Sequence, residues 1–120
     1  MCAIQLHNKK FNPFITKEEI NSAVLKMAEK IQSDYEGMNP VFIGVLNGSF
    51  LIVADLVREF TGNCEVSFVK MASYEGINTT GVVNELIGLN HSIENRHVVI
   101  IEDIVDSGNT VEKLVGLIRK

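Results

Sequence analysis

Apolar positions along the chain change period several times, and each change marks an element. Thr16-Lys17-Glu18-Glu19 has the form of a capping box, in which the first hydroxyl and the glutamate three residues on satisfy each other's free amides. Ile15 and Ile20 hold the two staple positions around it. Ile20, Ala23, Val24, Met27, Ala28, Ile31 and Tyr35 then recur at steps of three and four, which predicts one helix ending before Gly37. Val41-Phe42-Ile43-Gly44-Val45-Leu46 reads as a buried strand, broken by Asn47-Gly48-Ser49. Phe50 to Phe60 predicts a helix closed by Thr61-Gly62, and Glu65 to Met71 alternates enough for a strand. Ser73 to Gly81 is polar and carries two glycines, so it is a loop. Val82 to Leu89 fits either a strand or a continuation of that excursion. His97 to Glu102 is a β-branched strand, and Val111, Leu114, Val115 and Ile118 share one face of a last helix.

Strand, helix, strand, excursion, strand, helix is the order of an α/β fold with a mostly parallel sheet flanked by helices, here as a single domain over residues 1–120. Ligands of such sheets sit beyond the carboxyl ends of the strands. Val41 to Leu46 and His97 to Glu102 are therefore expected as neighbouring parallel strands. Helices should start near Ser49 and Asn109, and the two strand ends should open into one crevice.

Composition narrows the function. Apolar residues are 46% of the chain and the net charge is only -4, which excludes a disordered chain. With 11 Lys and Arg against 15 Asp and Glu, there is no basic field for nucleic acid, and no nucleic-acid partner is expected. Apolar runs span only a few residues where a membrane helix needs about 20. Met1-Cys2-Ala3-Ile4-Gln5 does not begin a signal peptide, so the expected compartment is the cytoplasm, with no membrane partner. Cys2 and Cys64 are too few for a disulfide framework, and His7, His91 and His97 lack metal-ligand spacing.

The most informative stretch is Val98-Val99-Ile100-Ile101-Glu102-Asp103-Ile104-Val105-Asp106-Ser107-Gly108-Asn109-Thr110. An apolar strand ends in two adjacent carboxylates, and a short turn with a third carboxylate leads into a helix. Turn amides, the Ser107 and Thr110 hydroxyls and the helix start make a phosphate cradle. Three carboxylates would repel a phosphate at close range, so they suit sugar hydroxyls or a divalent cation. The segment fits a ligand with both a phosphate and a polyol, with Mg²⁺ nearby. It lacks the Gly-Lys-Ser/Thr of a Walker loop and the acidic spacing of an EF-hand. The plainer reading is a helix capped by Asp106 or Ser107 after a solvated strand end. A second strand end, Val45-Leu46-Asn47-Gly48-Ser49-Phe50, offers another amide-rich turn, though Asn-Gly also marks ordinary turns.

The Ile100 to Thr110 stretch resembles the phosphoribosyl-pyrophosphate (PRPP) signature of type I phosphoribosyltransferases. Its Glu-Asp-Ile-Val-Asp form is similar to that of the hypoxanthine-guanine branch. The resemblance covers most of the chain and implies that family's core fold. It implies that Glu102 and Asp103 hold the ribose hydroxyls and the Mg²⁺ shell. Asp106 would lie beside the purine N7 as general acid and base, and Ser107, Gly108, Asn109 and Thr110 would bind the 5'-phosphate. Asn109 stands where many relatives carry a basic residue. Leu46, Asn47 and Gly48 match a loop whose backbone binds pyrophosphate, often through a non-trans peptide, with Asn47 in place of lysine. Ser73-Tyr74-Glu75-Gly76 resembles the start of the mobile loop that closes over the site, with Ser73 and Tyr74 its leading residues. Lys70, at the strand end before that loop, is a weak candidate for a phosphate contact, with a solvated charge the plainer reading.

What the resemblance implies is purine salvage: hypoxanthine or guanine plus PRPP giving IMP or GMP plus pyrophosphate, with Mg²⁺, in a homo-oligomer, dimer or tetramer. The chain stops inside its last helix, so the core is expected to be incomplete at the C-terminus. The family's later strands, which supply base contacts and a further metal-binding carboxylate, have no counterpart here. Three other readings stay open: a non-catalytic PRPP-binding regulator on this fold, a phosphoribosyltransferase for another base, and an inactive fragment.

Overall fold

The computed structural model describes residues 3–72, 84–87, 89 and 91–119. Its elements are β1 (Ile4–Leu6), β2 (Lys9–Phe11), α1 (Lys17–Asp34), β3 (Val41–Leu46), α2 (Phe50–Glu59), β4 (Glu65–Ala72), β5 (Asn84–Ile87), β6 (Val98–Ile101) and α3 (Asn109–Ile118). The capping box forms as expected: the Glu19 amide donates to Thr16 Oγ1 at 3.1 Å, and the Thr16 amide donates to Glu19 Oε2 at 2.7 Å. Those bonds hold the Glu19 carboxyl below its ordinary range. The helix ends at Tyr35, and Gly37 takes the positive φ of 73° that turns the chain away.

Sheet order is β5-β4-β3-β6. Strand β3 pairs in parallel with β4 over Val41↔Glu65 to Leu46↔Lys70, and with β6 over Val41↔Val98 to Gly44↔Ile101. The expected neighbours are therefore neighbours. Strand β5 settles the uncertain stretch: Asn84–Ile87 is a strand, antiparallel to β4, with a register shift between Lys70 and Met71. The hairpin of β1 and β2 forms a separate two-stranded sheet that the apolar pattern did not predict.

Central strand β3 is buried on both faces, which is why its run is apolar without alternation. Phe42 faces α1 and α2, in a cluster with Val24, Ala28, Val53, Leu56, Phe60 and Ile101. Phe42 and Phe60 meet edge to face at 5.2 Å. Val41, Ile43 and Val45 face the other way, packing with Val69 and with Leu114 of α3. Helices thus lie on both sides of the sheet. Gly44 admits this close approach: a Cβ there would stand 2.8 Å from Val53 and 2.9 Å from the Phe68 ring. At the far, amino end of the strands, Arg96 donates to the Asn39 carbonyl at 3.0 Å and to Glu65 at 2.8 Å. No helix among the described residues is long and apolar enough to cross a membrane.

Candidate active site

Because β3 and β6 run parallel and side by side, their carboxyl ends point the same way. Each is followed by a turn and a helix start. After β3, the peptide bond between Leu46 and Asn47 is cis, the non-trans geometry that the resemblance implied. Asn47 and Gly48 are exposed, whereas Ser49 is fully buried beneath them. Ser49 is the N-cap of α2, yet its hydroxyl makes no cap bond and has no hydrogen-bond partner among the described residues. Its amide donates to the Val45 carbonyl at 3.3 Å, which pins the turn to the strand.

After β6, Glu102 is half-buried and Asp103 exposed. The Asp103 amide donates to Glu102 Oε1 at 3.1 Å. Burial, then the hydrogen bond and charge of Asp103, push the Glu102 carboxyl above its ordinary value. The same pairing holds Asp103 below its own. The two carboxylates share one local field, so their proton uptake belongs to the pair. Gly108 caps α3 with φ 83°, a conformation for which glycine is suited. Asp106, Ser107, Asn109 and Thr110 are all exposed on this turn. The cap makes no side-chain bond; the nearest is the Asn109 amide to Ser107 Oγ at a long 3.4 Å. Asp106 forms no hydrogen bond among the described residues, and Ser107, the other capping candidate of the plainer reading, accepts only that long bond. The first amides of α3 have no intrahelical acceptor and face outward with the positive end of its dipole.

One contact joins the two turns. A Cβ built on Gly48 would lie 2.5 Å from Asp103 Cγ and 2.8 Å from its Oδ1. The Asp103 carboxylate after β6 is therefore packed directly against the bare backbone of the loop after β3. That juxtaposition is invisible in the sequence, where 55 residues separate Gly48 from Asp103. The family model for the phosphoribosyl transferase domain matches residues 15–120. The chain belongs to the phosphoribosyl transferase domain family.

Relatives within and around this family are consistent in kind. The chain is 33% identical over 107 residues to the hypoxanthine-guanine phosphoribosyltransferase of Streptococcus pneumoniae strain R6, covering 88% of this chain and 59% of that one. It is 36% identical over 115 residues to the bifunctional protein TilS/HprT of Listeria innocua, covering 95% of this chain and 18% of that one. The hypoxanthine phosphoribosyltransferase of Trypanosoma cruzi, solved with the product IMP, superposes with a TM-score of 0.77 at 38% identity, over 88% of this chain and 61% of that one. The chain thus spans about three fifths or less of these three relatives.

In this phosphoribosyl transferase domain, Leu46, Asn47 and Gly48 lie beside Glu102 and Asp103, while Asp106 to Thr110 form the adjoining turn. Ser73 and Tyr74 lie outside the described residues. Reading by residue type missed two features: the buried hydroxyl of Ser49, without a partner among the described residues, and the Gly48–Asp103 approach. The Asn-Gly-Ser turn was the available signal for the first; nothing local signals the second.

Proposed function

We propose that the chain is the PRPP-binding part of a hypoxanthine-guanine type phosphoribosyltransferase, folding as one domain over residues 1–120. The reaction joins a purine ring nitrogen to C1' of the ribose as the bond from C1' to pyrophosphate breaks. The observation that carries the reading is the packing of Asp103 on Gly48, which makes one crevice of two anion-binding turns and a carboxylate pair.

The Asn109 and Thr110 turn, with Ser107 and Gly108, receives the 5'-phosphate on free amides and hydroxyls. Glu102 and Asp103 accept hydrogen bonds from the ribose hydroxyls. The exposed backbone of Leu46, Asn47 and Gly48 takes the pyrophosphate. Asp106, exposed on the rim and without a hydrogen bond among the described residues, takes the proton from N7 of the base as the bond to C1' forms and gives it back only in the reverse reaction. Ser73 and Tyr74 begin the loop that shields the reacting carbon from water.

Glu102 and Asp103 also fit Mg²⁺. They are adjacent hard-oxygen donors whose coupled charge has no cationic partner among the described residues. No cluster of three or more metal-ligating side chains is found among the described residues, which suits an ion held by one or two carboxylates plus substrate oxygens. When bound, the ion offsets negative charge on the diphosphate as it leaves. The same reading takes the protein as a cytoplasmic homo-oligomer, dimer or tetramer, whose mass in solution light scattering would report.

The test is a turnover assay with PRPP and Mg²⁺ against hypoxanthine, guanine and adenine in turn. IMP and GMP should form with equimolar pyrophosphate. Turnover on adenine alone would reassign the base, and PRPP binding without any turnover would favour a regulator.

A further inference from the structure

A diphosphate ligand brings several negative charges to a site whose own side chains are acidic. Glu102, Asp103 and Asp106 lie within it, and the turns Leu46–Ser49 and Glu102–Thr110 contain no lysine or arginine. The amides of two helix starts supply partial positive charge only. Among the described residues, one lysine lies on a strand at this end of the sheet. Lys70 pairs in register with Leu46, on the adjacent parallel strand, about 4.8 Å away.

Strand alternation fixes the direction of its side chain. Val69 and Met71 pack with the α3 side of the sheet, whereas Phe68 packs with the α2 side, against the position of Gly44. Lys70 shares the face of Phe68. It therefore lies on the side of the sheet that carries α2, at the end where α2 begins. It is half-buried, so its stem is held against the sheet. Among the described residues it forms no ion pair; those found use Lys30, Arg58 and Arg96.

We propose that Lys70 is the cation that meets the pyrophosphate group of the ligand at the loop Leu46–Gly48. This replaces the reading of Lys70 as a solvated charge, and it rests on the site being a PRPP site. It assigns the discrimination between PRPP and simple phosphosugars to a strand residue outside both turns. A compact ammonium on that face of the sheet would add one charge-assisted contact that the loop's own side chains cannot make.

Isothermal titration calorimetry tests this with three probes: inorganic pyrophosphate with Mg²⁺, PRPP with Mg²⁺, and ribose 5-phosphate. Lys70→Met keeps the stem and removes the charge; Lys70→Arg keeps the charge. If Lys70→Met does not fold, as judged by thermal unfolding, Lys70→Gln takes its place. The expected result is a loss of roughly tenfold in affinity for pyrophosphate and PRPP in Lys70→Met, the size of one charge-assisted bond. Ribose 5-phosphate binding should be unchanged, the salt dependence of pyrophosphate binding should flatten, and Lys70→Arg should bind close to the unaltered chain. Unchanged pyrophosphate affinity in Lys70→Met overturns the role of Lys70 and leaves the PRPP site standing. An equal loss for ribose 5-phosphate overturns it too, because the lysine then acts as a general field. Failure of the unaltered chain to bind pyrophosphate or PRPP overturns both.

Discussion

Two glycines on one strand and its turn offer a paired perturbation whose outcomes should separate. Gly44→Ala places a methyl 2.8 Å from Val53 and 2.9 Å from the Phe68 ring, in the buried layer between sheet and α2. Neither neighbour can give way without moving the sheet or the helix, so overpacking should cost about 1–3 kcal/mol. With a urea slope of about 1–3 kcal/mol/M for a small domain, the unfolding midpoint falls by roughly 1 M. Gly48→Ala places its methyl 2.8 Å from Asp103 Oδ1 and closer to the rest of that carboxylate. Asp103 is exposed and can rotate away, so the fold should lose little. The rotation takes the carboxylate out of the crevice. Urea denaturation followed by circular dichroism, with calorimetric titration of PRPP and Mg²⁺, reads both effects. Gly44→Ala should unfold early and, while folded, bind PRPP. Gly48→Ala should unfold near the unaltered midpoint and bind PRPP at least tenfold more weakly, on the scale of one charged hydrogen bond lost. Normal PRPP binding by Gly48→Ala would refute the argument that this glycine exists to admit Asp103.

Other expectations follow from the same geometry. Asp106→Asn, in a turnover-competent protein, should lower turnover by about 10²- to 10⁴-fold with little change in PRPP affinity, since it keeps a hydrogen bond but cannot carry a proton; steady-state kinetics with calorimetry checks this. Burial and the neighbouring Asp103 raise the Glu102 carboxyl above its ordinary value, so it takes up a proton earlier than a free glutamate as pH falls, and Mg²⁺-dependent PRPP affinity should weaken with it. Its effect on the fold runs the opposite way: a raised carboxyl stabilises below its unfolded pKa, and that contribution is lost as pH rises through the folded one. Asp103, held below its ordinary value, works the other way on the fold, so the Glu102 contribution is read as the difference between melts of the unaltered chain and of Glu102→Gln over one pH series. Thr16→Ala should cost about 1 kcal/mol of stability by removing the cap of α1, measured by thermal unfolding, without touching PRPP binding.

Much of this was legible along the chain because the signals are local. The capping box of α1, the apolar run of β3 and the Phe50–Glu59 helix depend on residues within a turn or two of each other. The Glu102 to Thr110 motif locates the candidate chemistry at a strand end through residue types that are contiguous in the chain. The helical stripe on α1 was only half informative: Val24 and Ala28 are buried, while Ile20 and Met27 remain exposed, because periodicity tells which face is apolar but not what covers it. The hairpin β1–β2 escaped notice because two strands of three residues, all exposed, give no run long enough to show a period. Strand β5 stayed undecided because its partner is antiparallel and joined through an irregular register at Lys70 and Met71. The approach of Gly48 to Asp103 and the pairing of Leu46 with Lys70 are products of sheet order alone, and no local pattern encodes them.

The central claim is that residues already present in this chain form a PRPP and Mg²⁺ site. Direct calorimetric titration of the 120-residue chain with PRPP, with and without Mg²⁺, and again in Asp103→Asn, tests it without requiring a base. The account predicts one saturable site that strengthens with Mg²⁺ and loses most of that gain in Asp103→Asn. No binding by the unaltered chain, or binding indifferent to both Mg²⁺ and Asp103, would contradict it.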